Sequence, residues 1–216
     1  MALPQRRRPG RPSAAVGADT RERILRAAYR RFAAAGYDRA RNQEIAEAAG
    51  VTSAALYHYF DSKAALFADA WRHGLELVLA AYREAAAREA PAVERLCAMV
   101  EANVALNRAH PGLADFLALA PVEARRHPEL AARVGTLGAE VPALFRAVLA
   151  EGVARRELRP DLPVESAMHL VVAASYGLSW FRGVLPSREA HEAAVRAFQA
   201  LLRGTLLAPP GPRRNN

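Results

Sequence analysis

A chain of 216 residues is long enough for one or two folded domains, and its 52% hydrophobic content excludes an intrinsically disordered protein. Abundant alanine and few β-branched residues favour helix over sheet. Residues 1–63 hold 12 Lys or Arg against 6 Asp or Glu, whereas residues 64–216 hold 18 against 16. The N-terminal third therefore suits a polyanionic partner, although charge alone leaves a merely Arg-rich chain equally open.

Residues 1–18 are rich in Pro, Gly and Arg and predict a disordered basic arm. Asp19 is then expected to cap the first helix, with Glu22 completing a capping box and Gly36 ending the helix. The expected buried residues of this helix recur at helical spacing: Ile24, Leu25, Ala28 and Phe32.

Two short helices follow, separated by the tight turn Ala49–Thr52 with Gly50 at its centre. The first should bury Ile45, Ala46 and Ala49. The second runs from about Ser53 to Phe60, with Thr52 as its N-cap and Leu56 and Phe60 buried. Asp61 and Ser62 should cap a fourth helix that begins at Lys63.

Amphipathic segments separated by polar or proline breaks fill the rest of the chain. They predict helices at 63–88, 92–109, 113–126, 129–157, 164–183 and 188–206, with Pro142 kinking or splitting the fourth of these. The tail at 208–216 is expected to be disordered.

The fold class predicted is all-α, with an N-terminal three-helix helix-turn-helix DNA-binding domain at 19–66 and a C-terminal helical ligand-binding and dimerisation domain at 67–207.

The helix after Gly50 has small side chains at Ser53, Ala54 and Ala55, which would let its backbone approach DNA closely in a major groove about 12 Å wide. Thr52 and Ser53 can bond phosphates or base edges, and the alanines can touch thymine methyl groups. Tyr57 and His58 can donate to phosphate oxygens. Lys63, at a helix start, would attract a phosphate together with the helix N-terminus, although an accidental surface lysine is the alternative.

Three stretches resemble the DNA-binding domain of the tetracycline-repressor (TetR) family: Arg23–Tyr37, Ile45–Thr52 and Leu56–Leu66, which keep their spacing without a gap over residues 20–67. The resemblance implies that Gln43 and the start of the second helix contact phosphate. It also implies that Thr52, Ser53, Ala54, Tyr57 and His58 face the groove and that Lys63 anchors phosphate. Arg41 and Asn42 depart from the family pattern, so Asn42 is expected to take over the cap and Arg41 to contact phosphate.

The resemblance also implies a dimer built from the last two long helices and a ligand pocket among the middle helices. Large apolar residues at helical spacing favour the same dimer, with core packing of a monomer as the alternative: Met168, Val172, Tyr176, Trp180, Phe181, Val195, Phe198, Leu201 and Leu202. Candidate pocket residues, each also compatible with simple core packing, are Trp71, Leu75, Met99, Asn103, Leu106, His110, Phe116, Phe145, Leu149, Met168, Val172 and Tyr176. An apolar or aromatic effector is expected because few of them are charged.

The function predicted is a ligand-responsive regulator, leaning to a repressor, that binds palindromic operator DNA as a homodimer and is released by a small effector. A small-molecule-binding dimer without specific DNA recognition and an activator of the same fold are the alternatives. Catalytic motifs and metal-ligand spacings are absent from the sequence, so neither an enzyme nor a cofactor or metal is expected. The lone Cys97, expected in the core, suits the cytoplasm, and neither a membrane span nor a secretory signal is predicted.

Overall fold

The structure, a computed structural model, describes residues 14–134 and 137–204, and the regular secondary structure within them is helical. A single 3-10 turn, Leu137–Ala139, precedes the eighth α-helix. In chain order the helices are α1 (Ala14–Arg39), α2 (Asn42–Ala48), α3 (Ser53–Tyr59), α4 (Lys63–Ala86), α5 (Ala92–Ala109), α6 (Leu113–Arg126), α7 (Pro128–Val134), α8 (Glu140–Ala154), α9 (Val164–Phe181) and α10 (Arg188–Leu202).

The start of α1 differs from the prediction. The helix begins at Ala14, so Asp19 lies inside it and pairs with Arg23 at 3.4 Å instead of capping a terminus. Most of the predicted arm, residues 1–13, lies outside the described residues. The predicted end of the first helix at Gly36 is confirmed as a break in α1. Gly36 has φ 76° and ψ 170°, a conformation that only glycine adopts readily.

An aromatic cluster joins the N-terminal unit, α1 to α3, to the rest of the molecule. The ring of Phe32 lies 4.9 Å from that of Phe67 and 6.0 Å from that of Phe116, which places α1, α4 and α6 around one core. The same core contains the predicted apolar residues of α1, α2 and α3, all of which are buried. The boundary proposed at residue 66 therefore falls within a continuous helix, α4, and across a shared core.

The predicted helix at 129–157 is two helices. The first, α7, ends at Val134, and the second, α8, begins at Glu140. Pro142 stands in the first turn of α8, where its missing N–H costs no hydrogen bond. The last two helices are shorter than predicted, since α9 ends at Phe181 and α10 at Leu202. The predicted tail, 208–216, lies outside the described residues.

One face of α10 lies against α5. Gln199 Nε2 donates to the Cys97 carbonyl at 3.1 Å, and Arg203 pairs with Glu94 at 2.6 Å. Cys97 is buried as expected. Val195, predicted in a dimer interface, lies on this packed face and is only 5% exposed within the single chain.

The helix α9 has two faces of different chemistry. Its inner face buries Met168, Val171, Ser175 and Ser179, and both hydroxyls donate to carbonyls one turn earlier in α9. The outer face of α9 carries exposed small or apolar residues at spacings of three and four: Leu170, Ala173, Gly177 and Trp180. Val184, in the turn after the helix, continues this spacing. Leu170 is 69% exposed, Trp180 55% and Val184 58%. Among the described residues, no helix combines the length and apolarity that crossing a membrane requires.

Candidate DNA-binding site and effector cleft

The turn between α2 and α3 is held by backbone geometry that the sequence dictates. Gly50 has φ +67°, the left-handed conformation common after a helix end, and Val51 N–H donates to the Ala46 carbonyl at 2.9 Å. Arg23 of α1 donates to the Ala49 carbonyl at 3.0 Å. The turn and α1 are therefore joined, and α3 leaves the turn in a fixed direction.

The helix α3 has one buried side and one exposed side, as its sequence predicts. Leu56 and the following Phe60 are buried. Thr52 accepts a hydrogen bond from the Ala55 N–H at 3.1 Å, which confirms its predicted N-cap. The exposed side carries Thr52, Ala54, Tyr57 and His58, while Ser53 and Ala55 are half-buried. Six residues singled out for groove contact or close approach therefore lie in and beside one exposed surface, the reading face.

The start of α2 corrects the predicted cap. Arg41, not Asn42, is the N-cap, and its own N–H donates to Glu44 Oε2 at 3.3 Å. Asn42 is the first helical residue, and its Nδ2 donates to the Tyr57 hydroxyl at 3.2 Å. Because the Tyr57 oxygen accepts this bond, its hydrogen remains available to an outside acceptor. Arg41 and Gln43 are exposed beside the reading face.

Glu44 connects the start of α2 to α1. Its carboxylate accepts from Arg31 at 2.7 Å, and this hydrogen bond lowers the pKa of Glu44 below its ordinary value. The charge of Arg31 is thereby paired, whereas Arg41 at the same helix end has no ion-pair partner within the described ranges.

Lys63 lies at the start of α4, where Ser62 is the N-cap and accepts from the Ala65 N–H at 3.0 Å. Its Nζ donates to the Asp38 carbonyl at 2.9 Å and lies 4.7 Å from the centre of the Tyr37 ring. Partial burial lowers the pKa of Lys63 below its ordinary value. One of the three ammonium hydrogens is used inside the chain, which fixes the position of the charge.

The residues suggested for effector binding divide into two groups. Trp71, Leu75, Asn103, Leu106 and Tyr176 line cavities between α4, α5, α6 and α9. The others lie elsewhere: Met99, Phe145, Leu149, Met168 and Val172 pack in or against a second core, Phe116 belongs to the aromatic cluster, and His110 contacts the Tyr29 hydroxyl at 3.3 Å.

The cavities lie next to each other. The outer cleft has a volume of about 510 Å³ and lies between Trp71 on α4 and Trp180 on α9. An inner cavity of about 30 Å³ adjoins it, and the two share Leu117, Ala118 and Tyr176. The inner cavity also contains Tyr82 and Asn107, which sequence reasoning missed. They are far from Tyr176 along the chain, and no local pattern marks them.

The predicted dimer residues are distributed unevenly. Trp180, Phe181, Tyr176 and Leu201 are exposed, whereas Phe198 and Leu202 are half-buried against the second core. Leu170 and Val184, which were not predicted, are among the most exposed large apolar residues described. The spacing of Leu170 relative to Trp180 is a helical-face signal that a sequence search could have used.

The exposed reading face, the tight turn and the supporting α1 define a helix-turn-helix protein. Residues 24–70 match the family described as "Bacterial regulatory proteins, tetR family". The chain is therefore similar to TetR-family proteins in its DNA-binding part, and the curated proteins that it resembles are transcriptional regulators.

Particular relatives extend the likeness over most of the chain. The HTH-type transcriptional regulator UidR of Escherichia coli (strain K12) is 26% identical over 194 residues, covering 88% of this chain and 94% of that protein. The HTH-type transcriptional repressor KstR2 of Rhodococcus jostii (strain RHA1) is 29% identical over 164 residues, covering 75% and 79%. The crystal structure of the regulator FadR of Bacillus subtilis in complex with stearoyl-CoA has the same fold, with a TM-score of 0.72 and 20% identity over 85% of this chain and 98% of that one.

Proposed function

We propose that the protein is a homodimeric repressor that binds a palindromic operator with α3 and releases it when a small molecule fills the cleft. The observation that carries the proposal is the reading face. A helix of seven residues is about 10 Å long and, with small side chains at its start, fits a major groove about 12 Å wide.

Contacts to the DNA backbone would fix the orientation of α3. Arg41 and Gln43 at the start of α2, Tyr57 on α3 and Lys63 on α4 are the proposed phosphate ligands. The Tyr57 hydroxyl has a hydrogen to donate, and Lys63 is already held in place by Asp38. Thr52, Ser53, Ala54 and His58 are then left to meet base edges.

A second copy is needed because one short helix contacts few base pairs. The outer face of α9 repeats apolar or small residues at spacings of three and four, the pattern of helices that pack in pairs. Two copies joined there would present two reading faces related by a two-fold axis. Such pairs read half-sites about 34–36 Å apart, or a multiple of that distance.

A ligand would act through α4. This single helix begins beside α3 at Lys63 and lines the cleft with Trp71, Leu75 and Tyr82. A molecule that moves the middle of α4 must also move its start, and so change the distance between the two reading faces. Gly177 and Trp180 belong both to the cleft and to the outer face of α9, so ligand and dimer geometry would be coupled there as well.

Two similar proteins support the proposal, one for repression and one for ligand binding. KstR2 is named a repressor, and the FadR structure is a complex with stearoyl-CoA, so a regulator of this fold can hold a ligand.

Selection of binding sites from a random pool of duplex DNA tests the proposal. We expect the full-length protein to enrich an inverted repeat and to protect both half-sites from nuclease. In a transcription assay, a promoter overlapping this repeat should be silenced, whereas enhanced transcription would identify the activator alternative. Recovery of no common sequence would contradict specific recognition and favour a small-molecule-binding dimer.

A further inference from the structure

Among the polar residues that line the inner cavity, Asn107, Asn103 and Tyr82 form one directed chain of hydrogen bonds, and Tyr176 and Ser179 are the others. Asn107 Nδ2 donates to Asn103 Oδ1 at 2.9 Å, and Asn103 Nδ2 donates to the Tyr82 hydroxyl oxygen at 2.9 Å. Each donor in the chain points toward Tyr82. The Tyr82 oxygen is therefore occupied as an acceptor, while its own O–H hydrogen meets no acceptor in the described part of the chain.

Burial keeps this hydroxyl a donor. Tyr82 is 3% exposed, and desolvation raises its pKa far above the ordinary value, so the phenol stays protonated. A buried hydroxyl hydrogen without an acceptor costs free energy, and an incoming acceptor would recover it. Such an unused donor, in a small cavity that adjoins a larger cleft, points to a ligand that brings an acceptor.

Charge limits the class of ligand. The described residues that line the inner cavity and the outer cleft include no Asp, Glu, Lys, Arg or His. A carboxylate or an ammonium group placed there would lose its water without gaining an ion-pair partner. A neutral group that accepts a hydrogen bond does not incur this cost of losing water from a charge.

Size sets the orientation. The inner cavity of about 30 Å³ holds a group about as large as one or two waters, whereas the outer cleft of about 510 Å³ holds an apolar body. We propose that the effector is an elongated, uncharged, apolar molecule with a carbonyl oxygen near one end. The carbonyl enters first and accepts a hydrogen bond from Tyr82, while the hydrocarbon lies between Trp71 and Trp180. This inference deepens the proposed function, on which it rests in taking the cleft as the effector site.

The chain contains two tryptophans, Trp71 and Trp180, and both line the outer cleft, so intrinsic fluorescence reports on its occupancy. The full-length protein is titrated at pH 8 with 2-undecanone, undecanoate and undecylamine, below the solubility limit of the ketone and below the critical micelle concentrations of the two ions. These probes share an eleven-carbon chain and differ in the charge of the end group. We expect saturable binding of the ketone that is about tenfold or more tighter than binding of either ion.

Tyr82→Phe removes the hydroxyl and keeps the ring, and it should weaken ketone binding about fivefold while changing binding of the ions little. Tyr29→Phe is the matched control, because Tyr29 is also buried and its hydroxyl contacts His110, outside the cleft. Circular dichroism confirms that both variants are folded.

Three results would overturn the inference: no saturable binding of the ketone, an ion that binds as tightly as the ketone, or a Tyr82→Phe variant that binds the ketone like the wild type. The titration contains no DNA. A failed operator selection would therefore refute the repressor while leaving the ligand class intact, and a failed titration would leave DNA recognition intact.

Discussion

At the scale of single residues, Thr52 combines a structural hydrogen bond with an exposed side chain. Its hydroxyl accepts from the Ala55 N–H and so satisfies one of the free donors at the start of α3. Thr52→Ala should lower the free energy of unfolding by about 1 kcal/mol, because the cap is lost. Urea denaturation followed by circular dichroism measures the change.

Ser53→Ala is the control for Thr52→Ala. Ser53 is the next residue on α3, and its hydroxyl forms no hydrogen bond within the described residues. Its loss should change stability by less than about 0.5 kcal/mol. An equal loss of stability in both variants would contradict the capping role of Thr52.

Lys63 is a cation with a fixed position. Its hydrogen bond to the Asp38 carbonyl and its contact with the Tyr37 ring hold the ammonium group at the start of α4. If this group meets a phosphate, Lys63→Met should weaken binding to specific and random DNA alike and reduce the slope of log K against log salt by about 1. Fluorescence anisotropy at several salt concentrations gives both values.

Arg88→Met removes a cation from the opposite end of the α4 region, beyond Ala86, and serves as the comparison. Its salt slope should equal that of the wild type. A Lys63→Met slope indistinguishable from that of Arg88→Met would place Lys63 away from the DNA backbone and leave it a purely structural residue.

At the scale of elements, two histidines lie where α1, α4 and the end of α5 meet. His73 on α4 has a buried Nε2 without a partner in the described chain, and His110 contacts the Tyr29 hydroxyl. Desolvation is the main cause that lowers the pKa of both rings below 6.5. Arg26 lowers both further, and Glu22 acts in the opposite direction. The folded junction therefore favours neutral imidazoles.

The sign of the pH dependence follows from these lowered pKa values. Between the folded pKa and the unfolded value near 6.5, the unfolded chain binds more protons, so acid favours unfolding. The stability that these rings contribute is complete above pH 6.5 and falls as the pH drops through the folded pKa. Urea unfolding between pH 7.5 and 5 should show a shallower loss for His73→Gln and His110→Gln than for the wild type.

The exposed ring of His169 on α9 provides the control for this series. His169→Gln should retain the wild-type slope, since the junction of α1, α4 and α5 is unchanged. A slope in His73→Gln and His110→Gln as steep as that of the wild type would show that the junction histidines do not cause the acid sensitivity.

Capping residues and glycines in the sequence predicted most helix starts and breaks correctly. Thr52 and Ser62 cap the helices assigned to them, and Gly50 and Gly36 take the positive φ angles that breaks require. The start of α1 was misjudged because Asp19 looks like a cap, but the preceding residues continue the helix. The cleft could not be predicted, since it depends on which faces of α4, α5, α6 and α9 meet, and a single sequence does not contain those distances.

At the scale of the whole molecule, the position of α9 decides whether two reading faces act together. Its inner face packs within the same chain. Met168 and Val171 are buried there, and the Ser175 hydroxyl donates to the Val171 carbonyl. Leu170 on its outer face and Val184 in the turn that follows are mostly exposed to water, although both are large and apolar. Packing against the same face of a second copy would bury both.

Leu170→Glu places a charge on the outer face of α9, the proposed contact, without touching the cleft or α3. Light scattering should give the wild type twice its chain mass of 23.4 kDa, and the variant the mass of a single chain. Ala147→Glu, at an exposed position of α8, is the matched control and should remain a dimer. The monomeric variant should bind one half-site and lose the preference for an inverted repeat, because discrimination of about 1–3 kcal/mol per base pair accumulates over both halves. A Leu170→Glu chain that stays dimeric and still selects the inverted repeat would move the interface to another surface.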